Sequence, residues 1–263
     1  MENLRRTDLR VQITKSNITK SQNLETACIF DTLCSVLIGS AILFDLDGVL
    51  VDSTPAVERV WRGWAAEHGL DPEFVMQWAH GRRSFETIRR VAPYIDAARE
   101  NMEVERREIE DLEGIQIIAG AAELIASIPP GHWTIVTSAT KELACARLGH
   151  VGLPLPEDAI TAEKVQNGKP DPEPYLKGAM QLGFPPASCI VIEDTAAGIA
   201  SAKNAGMQTI ALTTTYPAHE LREADVIVRS CADIRVEVKA GDEDETMLKL
   251  HFEYAVEPDV VIS

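Results

Sequence analysis

The chain has 263 residues, 45% of them hydrophobic, which is enough to bury a substantial core and excludes a fibrous or mostly disordered protein. Its 41 acidic against 25 basic side chains give a formal charge of −16, which disfavours a general binder of nucleic acid or anionic membrane, since both need basic surface. Five scattered cysteines without CxxC spacing or a disulfide-like framework read as reduced thiols of a cytoplasmic protein.

Residues 1–40 carry Arg5, Arg6, Arg10, Lys15 and Lys20, as a targeting peptide would, but Glu2, Asp8 and Glu25 interrupt them. A poorly ordered extension is expected there. Residues 27–43 are the most membrane-like stretch; Asp31 breaks it and it runs directly into a strand, so no transmembrane helix is expected.

That strand, residues 41–44, is uniformly apolar and is followed by Asp45, Asp47 and Gly48. In extended backbone, residues i and i+2 project to the same side, so Asp45 and Asp47 can face one point in space. Two negative charges there call for a cation or a proton between them. Thr54-Pro55 then reads as a helix start, a capping hydroxyl followed by proline, and Val57, Val60, Trp61 and Trp64 follow at helical spacing up to Gly69. Further helices are expected from Asp71-Pro72 to near Gly81, from Ser84 to before Pro93, and over residues 96–112, the last largely solvated. No convincing strand interrupts residues 54–114, which read as an inserted helical domain.

Beyond it strands and helices alternate: a helix over 121–128, a strand over 133–137, a helix over 140–148, a strand over 189–192, a helix over 196–205, and strands over 208–212 and 226–228. The alternation implies an α/β fold with a doubly wound parallel sheet, whose site lies at the carboxyl ends of the strands. Those ends deliver Asp45 and Asp47, then Thr137-Ser138, then Glu193-Asp194, with Lys169 in the glycine- and proline-punctuated loop Asn167-Gly168-Lys169-Pro170-Asp171-Pro172. After Lys239 an acidic run, residues 242–245, reads as a solvated turn, and residues 247–254 as an additional strand.

Individually these residues have plain readings: Ser138 as a turn or cap, Lys169 as a solvated cation, Glu193-Asp194 as an acidic helix cap. Their appearance at consecutive strand ends points instead to one shared site. Asp45, Asp194 and a backbone carbonyl near Asp47 form an all-oxygen set of the kind Mg2+ takes. Mg2+ and Lys169 would neutralise a phosphate dianion, while Ser138 and nearby backbone N–H groups, Ala139 among them, would bind its remaining oxygens. Asp45 would attack phosphorus, and Asp47 would protonate the leaving alcohol and later deprotonate the attacking water.

The stretches Phe44-Asp45-Leu46-Asp47-Gly48-Val49, Thr137-Ser138, Gly168-Lys169-Pro170 and Glu193-Asp194-Thr195-Ala196-Ala197-Gly198-Ile199 resemble, in order, the four motifs of the haloacid dehalogenase superfamily, in its branch with a helical cap inserted after the first motif. The resemblance implies a Rossmann-like core at residues 41–54 and 115–238, a cap at 55–114, an N-terminal extension at 1–40 and a tail at 239–263. It implies Asp45 as nucleophile, Asp47 as general acid and base, Ser138, Ala139 and Lys169 as phosphate ligands, and Asp45, Asp47, Asp194 and Glu193 around Mg2+. Asp52-Ser53-Thr54-Pro55-Ala56-Val57 and His80-Gly81-Arg82-Arg83 are similar to the glycerol-3-phosphatase and 2-deoxyglucose-6-phosphatase group, which implies a sugar or polyol phosphate monoester as partner.

Over such a substrate the cap would close, with Trp61, His80, Arg82 and above all Arg83 as its contacts. Alternatives are a phosphosugar mutase of the β-phosphoglucomutase kind and a phosphate-ester-binding protein without turnover. In the mutases a histidine follows the first motif, where this chain has Val57, which favours hydrolysis.

Overall fold

A computed structural model describes residues 36–240 and 246–252. Its centre is a five-stranded parallel sheet in the order β5-β2-β6-β7-β8, formed by β2 (Ala41–Phe44), β5 (Trp133–Ile135), β6 (Cys189–Glu193), β7 (Gln208–Leu212) and β8 (Val226–Val228). Every residue of β2 and β6 is buried, which explains why they read as unbroken apolar runs rather than as alternating ones. Phe44 pairs in register with Ile135 on one side and Ile192 on the other, so β2 is flanked by both strands that end in polar residues. The residues next after Phe44, Ile135 and Ile192 therefore share one edge of the sheet.

Helices α5 (Ala121–Ala126), α6 (Lys141–Val151), α7 (Glu173–Leu182) and α8 (Ala196–Asn204) connect these strands. Several ends follow local chemistry. Thr140 caps α6 and Thr195 caps α8, each hydroxyl accepting a first-turn N–H, while α6 and α7 stop at Gly152 and Gly183 in left-handed conformation.

Immediately after β2 the chain turns at Gly48, with φ +76°, and forms a small antiparallel pair between β3 (Val51–Asp52) and β4 (Gln116–Ile117). Between those two strands lie four helices: α1 (Thr54–Glu67), α2 (Pro72–Ala79), α3 (Ser84–Val91) and α4 (Ala97–Glu110). They bury a cluster of their own around Val60, Trp61, Trp64, Val75, Ile88 and Val104, distinct from the clusters under the sheet. Trp61 and Trp64 meet edge to face at 5.6 Å, an arrangement the ring quadrupoles favour.

Three elements depart from expectation. Thr54 does not cap α1: the N-cap position is Ser53, whose hydroxyl is spent elsewhere, and Asp52 Oδ1 accepts the Thr54 N–H at 3.1 Å. Helix α4 is not merely a solvated rod, because Val104 and Glu108 are buried. The third concerns the two ends of the chain, where β1 (Val36–Gly39) and β9 (Ile234–Ala240) flank β10 (Thr246–Phe252) in an antiparallel sheet, so residues 36–39 are part of the fold rather than of an extension. The strict apolar alternation of Ile234, Val236 and Val238 is the local signal for β9. The expectations for the remainder of the N-terminal extension, for the acidic run 242–245 and for residues 253–254 fall outside the described residues.

Candidate active site

Asp45 extends β2 by one step, its N–H donating to Ile192 O at 3.0 Å, so the sheet itself aims the carboxylate. It is buried, and Lys169 Nζ lies 2.9 Å from its Oδ1. The same ammonium is 2.7 Å from Glu193 Oε1. Burial works against the Lys169 charge, but Asp45 and Glu193 outweigh it and hold the ammonium above its usual range. Burial likewise pushes the Asp45 carboxyl up to about 7, against the pull of Lys169.

Glu193 is fully committed to the protein. Its Oε1 accepts from Lys169 and from the Tyr175 hydroxyl at 2.9 Å; its Oε2 accepts from the N–H groups of Asp194 and Thr195 at 2.9 and 3.0 Å and from the Thr195 hydroxyl at 2.9 Å. Burial opposes its charge, yet Lys169 and Thr195 keep its carboxyl below the ordinary value. The first turn of α8 must carry glycine here, since a Cβ on Gly198 would stand 1.6 Å from Glu193 Oε1.

Asp194 is the reverse case. It is 2% exposed, and its Oδ1 has no hydrogen-bond partner. Burial, then Glu193 and Asp45, drive its carboxyl well above the usual range. Gly48 makes room for it, because a Cβ there would approach Asp194 Oδ2 to 1.9 Å. Asp45, Glu193 and Asp194 each bring a carboxylate oxygen within 4.8 Å of the others, while Lys169 supplies the one ammonium seen among them. An orphaned carboxylate oxygen amid excess negative charge fits a hard divalent cation with oxygen ligands. Asp45 and Asp194 have the free capacity to hold it; Glu193 has none.

Asp47 also reaches this edge, but both its oxygens are engaged by the protein. The Ser53 hydroxyl donates to Oδ1 and Arg147 Nη1 donates to Oδ2, each at 2.7 Å. Ser138 follows β5 and points its hydroxyl at the Gly81 carbonyl, 3.2 Å away. The Ala139 N–H donates to Thr137 Oγ1 at 3.0 Å.

A cavity of about 60 Å³ opens beside these groups, lined by Asp45, Asp47, Ser138, Trp61, His80, Arg82, Glu108 and Arg147 among others. Trp61 is nearly sealed within the helical cluster but shows an edge to this space. His80 stands 6.1 Å from the Tyr216 ring, and burial lowers the proton affinity of its imidazole, against the opposing fields of Glu58 and Asp47. Arg82 lies over the Trp78 ring at 5.2 Å. Arg83, the first expected substrate contact, is not brought to the cavity: it bonds Glu86 and donates to the carbonyls of Val165 and Gln166 at 3.2 and 2.9 Å. Its guanidinium ties α3 to the loop that precedes Lys169.

Four residues of the site are assigned no role from the sequence. Glu108 lies in a run of charges, Arg147 in a helix without a clean apolar face, Ser53 beside a more conspicuous aspartate, and Tyr175 at an ordinary core position. Among the described residues no helix is long and apolar enough to cross a membrane.

Over 202 residues the chain is 43% identical to hexitol phosphatase A of Escherichia coli K12, covering 74% of this chain and 92% of that protein. It is 35% identical over 225 residues to glycerol-1-phosphate phosphohydrolase 2 of Saccharomyces cerevisiae, covering 78% and 88%. Among solved structures, the β-phosphoglucomutase of Clostridium difficile superposes with a TM-score of 0.65 at 26% identity, over 74% of this chain and 93% of that one. The family model for haloacid dehalogenase-like hydrolases matches residues 40–206, from the start of β2 through the end of α8, and the chain belongs to that family.

Proposed function

We propose that this chain is a Mg2+-dependent phosphomonoesterase that hydrolyses small phosphorylated sugars or polyols through an aspartyl-phosphate on Asp45. The observation that carries the reading is the buried Asp45, held beside Lys169 and clustered with Asp194, whose Oδ1 has no hydrogen-bond partner. Two phosphatase relatives, nine-tenths of whose length the chain covers, support it.

Asp45 and Asp194 would hold the ion, which supplies positive charge to offset the phosphate dianion. Lys169 keeps its proton in this setting and adds a second positive centre, so the Asp45 carboxylate can approach an anion. Asp45 attacks phosphorus as the ester P–O bond breaks, and Asp47 gives a proton to the departing oxygen. Water then attacks the aspartyl-phosphate, Asp47 takes its proton, and phosphate leaves with the Asp45 carboxylate restored. For this, Asp47 must exchange its present bonds to Ser53 and Arg147 for the substrate. Ser138 Oγ, now on the Gly81 carbonyl, would turn to a phosphate oxygen, with the Ala139 backbone beside it.

In this reading residues 55–114 act as a cap over a core made of 41–54 and 115–238, with Trp61, His80 and Arg82 facing the leaving group. Free thiols at Cys145, Cys189 and Cys231 support a cytoplasmic setting.

Phosphate release from glycerol 1-phosphate, glycerol 3-phosphate, sorbitol 6-phosphate, 2-deoxyglucose 6-phosphate and glucose 6-phosphate, with Mg2+ or chelator, tests the reading. Release that needs Mg2+ and falls at least about a thousandfold in Asp45→Asn supports it; release that survives either change overturns it. The likeness to a β-phosphoglucomutase keeps a mutase as the second reading. Conversion of β-glucose 1-phosphate to glucose 6-phosphate without phosphate release would establish that instead.

A further inference from the structure

The guanidinium of Arg147 has more hydrogen-bonding capacity than the protein uses. It rises from α6, is 3% exposed, and donates through Nη1 to Asp47. Nη2 is ion-paired with Glu108 Oε1 at 3.5 Å but makes no hydrogen bond of good geometry, and Nε is shut from solvent with no partner. Orphaned donors on a buried cation are costly, and a fold that keeps them usually has an acceptor to come. Glu108 is the counterpart from α4: a carboxylate 4% exposed, bonded to the Trp61 side chain, with burial raising its carboxyl against the pull of Arg147.

Both residues line the cavity that contains Asp45 and Asp47. With phosphorus at Asp45 and the bridging ester oxygen at Asp47, the rest of a leaving group lies among the cavity side chains that adjoin Asp47. Arg147 is one of these, and Glu108 is paired with it. A guanidinium only donates, and an ionised carboxylate only accepts. A hydroxyl does both, so two neighbouring hydroxyls can give lone pairs to Arg147 and protons to Glu108. A second phosphate or a carboxylate on the leaving group would instead meet Asp47 and Glu108 where Arg147 is already paired with both acids.

We propose that Arg147 and Glu108 read adjacent hydroxyls of a neutral polyol leaving group and thereby set the ester preference of this site. The inference rests on the phosphomonoesterase reading. It assigns specificity to one residue from the sheet side and one from the helical insertion, so the substrate bridges the two.

Steady-state kinetics of the full chain with Glu108→Gln and Arg147→Lys test it, using sorbitol 6-phosphate, p-nitrophenyl phosphate, whose leaving group has no aliphatic hydroxyl, and 2-phosphoglycolate, whose leaving group is anionic. Each variant should lower kcat/KM for sorbitol 6-phosphate by roughly tenfold or more beyond whatever it loses on p-nitrophenyl phosphate, and that extra loss should appear chiefly in KM. Glu108→Gln should also raise the relative rate on 2-phosphoglycolate. Equal losses on all three esters would make the pair a support for Asp47 or for the fold and overturn the proposal, as would no loss on any. Melting curves show whether each variant folds, and either one that does is sufficient to decide. A wild-type protein that releases no phosphate from any ester overturns the phosphomonoesterase reading and this one with it; wild-type turnover with unaltered preference in the variants overturns this one alone.

Discussion

Lys169 Nζ stands 2.9 Å from Asp45 Oδ1, with both side chains sealed from solvent, although the two residues are far apart in the chain. The contact exists because β2 ends in Asp45 and the loop before α7 lays Lys169 across that strand end, over the Tyr175 ring at 5.0 Å. Removing the ammonium leaves Asp45 and Glu193 buried without their shared cation, clustered with the acid Asp194. Lys169→Met should therefore lose about 3–5 kcal/mol of stability in denaturant unfolding, as broken buried ion pairs do. In whatever fraction stays folded, phosphate release should fall by roughly 10²–10³-fold. A variant with full stability and full turnover would show that Lys169 is neither structural nor electrostatic support.

Asp194 makes an opposite prediction for stability. Its buried carboxyl favours the protonated form, so the charge costs stability at neutral pH when no cation is present. Metal-free Asp194→Asn should melt no lower than the metal-free wild type. Added Mg2+ should raise the melting point of the wild type, by the equivalent of about 1.4 kcal/mol at ten times its dissociation constant, and have little effect on the variant. Equal Mg2+ shifts in both proteins would remove Asp194 from the ion site.

Gly198→Ala tests the packing of the same corner. In an exposed helix interior this exchange gains up to about 1 kcal/mol. Here the new methyl would meet the Glu193 carboxylate at 1.6 Å, inside a buried network with no slack. The expected result is a loss of about 1–3 kcal/mol, typical of overpacking, and impaired turnover because Glu193 orients Lys169. Stabilisation with unchanged activity would mean the network can shift to admit a methyl group.

Glu173, the first residue of α7, offers a pH test of the loop that presents Lys169. The Lys177 ammonium, and then the N–H groups of Gln166 and Asn167, pull its carboxyl from 4.5 down to about 2. Because the folded-state value is depressed, its stabilisation is present above about pH 4.5 and is lost as pH falls through about 2. Glu173→Gln should lower the melting point at pH 7, and the gap from the wild type should narrow steadily below pH 4.5. A gap independent of pH would assign the effect to shape rather than charge.

Local sequence determined the parallel sheet and the presence of polar side chains at its ends, because a strand buried on both faces must be apolar throughout and its first polar residues mark where it stops. Asp45, Asp47, Ser138 and Glu193-Asp194 were legible for that reason, and Lys169 by its loop. The four helices after Thr54 were legible from their spacing and their proline and aspartate starts. What each charged group does with its bonds was decided by tertiary structure alone. Glu193 is saturated while its neighbour Asp194 is left with a bare oxygen, a difference created by Lys169, Tyr175 and the backbone N–H groups just before α8. Arg83 was drawn from the cavity to the carbonyls of Val165 and Gln166, and Glu108, from a helix expected to be largely solvated, was buried with Arg147 beside Asp47. A charged side chain in a helix has the same local pattern whether it meets water or a partner a hundred residues away; only the packing of α4 against α6 distinguishes them, and that packing is long-range.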